Sequence, residues 1–161
     1  SGRLSMPSFL TDSVLNTPDA DAFEGQMVPG APMDDAPVQV DGQDAWLLDQ
    51  VGKGFQVMLF ADAPPSPEVL AQLASCRSAP LCANEPVQVT PLIVTPHALD
   101  VPGMKVIVDA QGLMAKRYDA QPGTTYLLRP DQHVLARWRS LDSARLQTAL
   151  ARALGQVGAQ A

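Results

Sequence analysis

The chain has 161 residues, 46% of them hydrophobic, which suits one domain with a real core and some length to spare. Its formal charge of −6, with no basic block anywhere, argues against nucleic acid, whose phosphates demand clustered Lys and Arg. The longest uninterrupted apolar run, Val57 to Ala61, falls far short of the roughly 20 residues that span a bilayer, and no signal-peptide pattern opens the chain, so a soluble protein with no membrane partner is expected.

Residues 1–37 carry Pro7, Pro18, Pro29, Pro32 and Pro37 and show neither helical nor strand periodicity. They read as an extended arm or linker that must lie against something, with Phe9, Leu10, Val14, Leu15, Phe23 and Met27 as anchors for this domain or for a neighbouring one. A folded domain is expected over 38–155. Asp44 is placed to cap a short helix bearing Trp46, Leu47, Leu48 and Val51, with Gly52 to end it. Phe55 to Phe60 is a near-continuous apolar run of strand length, the pattern of a strand covered on both faces. Ser66 then suits an N-cap and Pro67 a first helical turn, and Val69, Leu70, Leu73, Ala74 and Cys76 form one apolar face of a helix that stops before Pro80.

Val87 to Val94 reads as a second strand in which Pro91 would demand an edge or a bulge. An apolar run at Val106 to Val108 follows, then a short helical patch ending at Tyr118 and a Pro122-Gly123 turn. Thr124 to Leu128 and Val134 to Trp138 are rich in β-branched, aromatic and long apolar residues, and the Arg129 to His133 corner between them has turn chemistry, which predicts a hairpin. Ser140 is the expected cap of a last helix, where Leu146, Ala149, Leu150, Ala153 and Leu154 recur at helical spacing. Gly155 closes it and 156–161 are expected to fray. From Phe55 the order is β-α-β-α-β-β-α, an α/β fold with a mixed sheet and helices on both faces. That is the thioredoxin-like arrangement, and the pattern also admits other α/β sandwiches.

A thioredoxin-like fold does redox work through a cysteine where the first core strand gives way to its helix, because the helix N-terminus lowers the thiol pKa. Here that place reads Ala61-Asp62-Ala63-Pro64-Pro65-Ser66-Pro67. Ala63 to Ser66 looks like a Cys-Pro-Pro-Cys motif with both sulfurs gone. The cis-proline that redox members place before the hairpin aligns with Gly123, with Pro122 one residue early. Cys76 and Cys82 remain, and two cysteines make no disulfide framework, which fits a reducing cytoplasm. Cys76 lies near a helix C-terminus, where a thiolate is disfavoured, and Cys82 in the next loop. The readings are a buried small hydrophobe and an incidental thiol, or a regulatory disulfide. His97 and His133 have no metal-ligand spacing. Asp34-Asp35 reads as solvated surface. Arg117, Arg129, Arg137 and Arg139 cluster around the hairpin, and strand alternation puts Arg137 and Arg139 on one face and Trp138 on the other; the cluster is either a solvated face or an ion-paired interface with another domain or subunit.

Leu15-Asn-Thr-Pro-Asp19, Pro29-Gly30, Trp46 to Asp49, the Phe55 to Phe60 strand, Arg117-Tyr118, Pro122 to Asp131 and Ala136-Arg-Trp138 together resemble the C-terminal region of FAD-dependent aromatic hydroxylases of the phenol hydroxylase and 3-(3-hydroxyphenyl)propionate hydroxylase type. The Pro-Gly-Thr to Arg-Pro-Asp block followed by Ala-Arg-Trp is the most specific part. The resemblance implies a thioredoxin-like domain without redox cysteines, in a parent enzyme that uses FAD and NAD(P)H to hydroxylate a phenolic ring. It implies partners in the upstream FAD and substrate domains of the same chain, with a homodimer contact as a further expectation. No catalytic, cofactor-binding or metal-binding residue is expected within these 161 residues. The competing expectations are a free-standing thiol oxidoreductase or peroxiredoxin-like enzyme using Cys76 or Cys82, and an adaptor whose arm recruits a partner.

Overall fold

The computed structural model describes residues 15–76 and 89–154. Its strands are β1 (Pro37–Val40), β2 (Gln43–Trp46), β3 (Phe55–Phe60), β4 (Val89–Thr95), β5 (Lys105–Val108), β6 (Thr125–Leu128) and β7 (Val134–Trp138). Its helices are α1 (Pro67–Ser75), α2 (Leu113–Arg117) and α3 (Ser143–Ala153), with a 3-10 turn at Leu47–Gln50. The strands form one sheet in the order β2-β1-β5-β4-β3-β6-β7. β4 runs parallel to β3 and β5, whereas β6 and β7 pair antiparallel as the predicted hairpin. The elements β3-α1-β4-α2-β6-β7-α3 give the predicted thioredoxin-like core, extended on one side by β5, β1 and β2.

β3 is central because its side chains are apolar on both faces, and alternation sends them to two separate layers. Val57 and Leu59 pack with Leu73 and Cys76 of α1, Trp138 of β7, and Leu146, Ala149 and Leu150 of α3. Met58 and Phe60 pack on the other face with Met114 and Tyr118 of α2, Tyr126, and Met27, Ala31, Met33 and Ala36 from the arm. Full burial of each large apolar side chain stabilises by about 1.5–3 kcal/mol. From residue 16 on, the arm is thus packed on this domain. Thr17 N–H donates to Leu135 O at 3.1 Å, Gly30 N–H to Val134 O at 2.6 Å, and Val134 N–H to Ala31 O at 2.9 Å. The arm thereby covers the outer edge of β7, which would otherwise present unpaired backbone groups.

Five local expectations are corrected. Asp44 lies in β2 and caps nothing: Asp41 and Gly42 both take positive φ, 53° and 78°, the two-residue turn that suits a right-twisted hairpin, and the helical turn begins only at Leu47. The run around Val106 to Val108 is a full strand, β5, parallel to β4. Pro91 sits inside β4 between two neighbours, at neither edge nor bulge. Val94 O accepts from Ala61 on the β3 side, and Thr95 O from Asp109 on the β5 side. Counting back, Pro91 faces the β5 side, where pairing starts only at Leu92, so its missing N–H interrupts no ladder bond. Asp142, not Ser140, caps α3, accepting from Ala144 and Arg145 N–H at 2.9 and 3.2 Å. Finally, Ala74 is exposed on α1, while Leu73 and Cys76 are buried.

Candidate functional site

The redox mouth of the fold lies where β3 ends and α1 begins. Ser66 is the N-cap there, its Oγ accepting from Val69 N–H at 3.3 Å, with Pro67 opening the helix. A hydroxyl therefore occupies the helix mouth, and it neither transfers electrons nor forms a disulfide. On the facing loop every described peptide bond is trans, and Gly123 holds φ +97°. Its N–H donates to Phe60 O at 2.7 Å, and a Cβ there would lie 3.1 Å from the Arg139 carbonyl oxygen. Glycine meets both requirements where proline would lose the donor and crowd the strand. Between the two loops lies a cleft of about 180 Å³, walled by Phe60, Val94, Ala115, Ala120 and Pro122, with Asp62 and Gln121 at its rim.

The described cysteine is not at the mouth. Cys76 closes the opposite end of α1, 5% exposed, its thiol donating to Gln72 O at 3.1 Å. Burial pushes its pKa up to about 11, the reverse of an activated thiol. Cys82 lies outside the described residues, and with it the question of a Cys76–Cys82 disulfide. His97 is exposed, its Nδ1 3.5 Å from Ala98 O; His133 sits in the hairpin corner, 3.3 Å from Asp131. No group of three or more potential metal ligands comes together among the described residues.

Arg137 of β7 and Arg139 just after it find partners within the chain. Arg137, 3% exposed, donates from Nε and Nη2 to the two oxygens of Asp19 at 3.0 and 2.8 Å. Burial opposes its charge, but the bonds from Asp19 prevail and its pKa is raised. Arg139 holds Asp119 at 2.6 Å, and its backbone N–H donates to Asp21 at 2.9 Å. Glu24 N–H also donates to Asp119, and this bond, followed by those from Arg139, lowers the Asp119 pKa. The Phe23 ring lies under both guanidinium groups, 4.4 and 3.9 Å from centroid to carbon, and meets Tyr126 edge-on. Instead of a solvated face or a contact with another domain, the two arginines clamp the arm. Asp35 is likewise structural, accepting from Ala36 and Leu48 N–H, and Asp34 O accepts from the Tyr118 hydroxyl at 2.6 Å. Neither Asp19 nor Phe23 stood out as an arginine partner in sequence, since 118 residues separate Asp19 from Arg137.

The described helix N-termini and cleft do not fit FAD. A dinucleotide pyrophosphate needs free helix N-terminal N–H groups or clustered cations. The first turns of α1, α2 and α3 already donate to Ser66, Asp109 and Asp142 respectively. The cleft is lined by two carboxylates and no cation.

Comparison with known proteins agrees with this geometry. The model of the HcaD C-terminal domain family matches residues 30–153. No curated protein sequence matches the chain. Among solved structures, the flavin-dependent monooxygenase PieE in complex with FAD and substrate is similar, at 22% identity and TM-score 0.64 over 88% of this chain and 24% of that one. Aklavinone-11 hydroxylase with FAD and aklavinone gives 18% identity and TM-score 0.59, over 88% of this chain and 25% of its own. A peroxiredoxin, PrxQ of Xylella fastidiosa in a cysteine-to-serine mutant form, gives 14% identity and TM-score 0.56 over 79% of this chain and 97% of its own. The chain thus spans about a quarter of the two flavin enzymes it matches and nearly all of a free-standing thioredoxin-like protein. It belongs to the HcaD C-terminal domain family, has the thioredoxin-like fold, and resembles the C-terminal part of FAD-dependent monooxygenases.

Proposed function

We propose that this chain is the redox-inactive C-terminal domain of a cytoplasmic FAD-dependent monooxygenase that uses NAD(P)H to hydroxylate a phenolic or other aromatic substrate. Its own role is structural. It packs on the flavin and substrate domains, from which residues 1–37 lead, and contributes to a dimer contact. The observation that carries the reading is the helix mouth at Ser66: the fold keeps its shape there while a hydroxyl stands where the chemistry needs a sulfur. The family match supports the same conclusion, as does the poor fit of these residues to a dinucleotide.

The test is to express the gene with its sequence upstream of Ser1, beside the 161-residue chain alone. The longer protein is expected to purify with bound flavin and to oxidise NAD(P)H faster when a phenol is added, whereas the short chain takes up no FAD. A longer protein without flavin, or stoichiometric FAD binding by the short chain, would overturn the reading.

A further inference from the structure

The cleft at the mouth is more than the space left by a lost active site. The cleft lies at the C-terminal ends of the adjacent parallel strands β3 and β4, beside α2 and the loop that precedes β6. Its walls are almost wholly apolar: Phe60 and Val94 are buried at its base, and Ala115, Ala120 and Pro122 close its sides. Small alanines on two of those walls keep it open.

Size and charge then select the occupant. A volume of about 180 Å³ is close to the ~150 Å³ of an apolar cavity that holds one benzene ring. The lining includes the carboxylates of Asp62 and Asp109 and no Lys, Arg or His. Asp109 is committed to the N–H groups of Met114 and Ala115, at 3.0 and 2.9 Å. The exposed Asp62 and Gln121 side chains stand at the rim, where both can accept a hydrogen bond and the Asp62 carboxylate repels an anion.

We infer that this cleft is a small-molecule site for an uncharged single-ring aromatic alcohol, its ring between Phe60, Val94 and Ala115 and its hydroxyl toward Asp62 and Gln121. This goes beyond the structural role proposed above, and it stands or falls apart from whether the parent binds flavin.

The ¹⁵N-labelled chain, titrated with benzyl alcohol and separately with benzoate, provides the test. Benzyl alcohol is expected to give saturable amide shifts centred on Ala61, Thr95 and Ala115, and benzoate to bind at least about tenfold more weakly, the ratio that ~1.4 kcal/mol of charge repulsion produces. Ala115→Leu, which fills the cleft with a good helix former, should abolish the shifts while the rest of the spectrum keeps its dispersion; Ala120→Met serves if the first variant does not fold. Shifts that fail to saturate, that are equal for the two probes, or that survive in the filled variant would overturn the assignment.

Discussion

Arg137 has its side chain 2% exposed, and its Nη1 has no hydrogen-bond partner among the described residues, so the buried charge depends on Asp19. Removing the carboxylate leaves that charge uncompensated and is strongly destabilising, though Asp19 keeps water on its outer side and the cost falls below the about 3–5 kcal/mol of a fully buried pair. Asp119 works at the wetter end of the same clamp, with its pKa lowered by Glu24 N–H and Arg139 from an ordinary value of 3.8. As pH falls, the unfolded chain takes up that proton first, so the stabilisation is full above about pH 4 and fades as pH falls through the lower, folded-state pKa. Urea midpoints of the wild type and Asp119→Asn should therefore differ most near neutral pH and converge below pH 3.8; a gap that stays constant with pH would contradict the ion pair. The arginines' shared face was legible, because strand alternation is local. Their partners were not, since no sequence pattern ties Asp19, Asp21 or Phe23 to a strand more than a hundred residues away.

Two helix caps make the same contrast between pattern and structure at the level of elements. Ser66 was legible as a cap because Pro67 and a helical apolar face follow it at once, and its Oγ does accept from Val69 N–H. Ser140 competed with Asp142 within three residues, and the carboxylate prevails by taking two N–H groups, Ala144 and Arg145. Ser66→Ala and Asp142→Ala should each lower stability by about 1 kcal/mol, whereas Ser140→Ala should stay within about 0.5 kcal/mol; thermal melts of the three variants check the order. β1 and β2 were missed because each has only four residues and β2 faces solvent with polar side chains. Their signal was the Asp41-Gly42 pair, whose conformation suits a two-residue hairpin turn. β4 was found despite Pro91, but its place in the sheet interior depends on where β5 begins to pair, which is a tertiary fact.

At the scale of the whole molecule, the apolar β3, the hairpin and the amphipathic helices specify the thioredoxin-like core, and each of these was readable because burial imposes a period on the sequence. The candidate site was readable as a loss, in the Ala63-Pro-Pro-Ser66 stretch and at Gly123. The cleft was not, for its walls come from four separate segments brought together only by the pairing of β3 with β4 and the packing of α2 against them. The arm was ambiguous in sequence, and over its described residues it packs on this domain: Met27, Ala31, Met33 and Ala36 complete one core layer, and the β7 edge is covered by arm backbone; Phe9, Leu10 and Val14 lie outside the described residues. No described helix is long and apolar enough to cross a membrane.

Electron transfer is the activity that separates a scaffold from an oxidoreductase on this fold, and Cys76, with its thiol pKa raised to about 11, is poorly suited to it. The decisive measurement is the rate of insulin disulfide reduction by dithiothreitol, with the wild-type chain and with Cys76→Ala/Cys82→Ala. Neither protein should raise the rate above dithiothreitol alone. An acceleration by the wild type that disappears in the double variant would contradict the account.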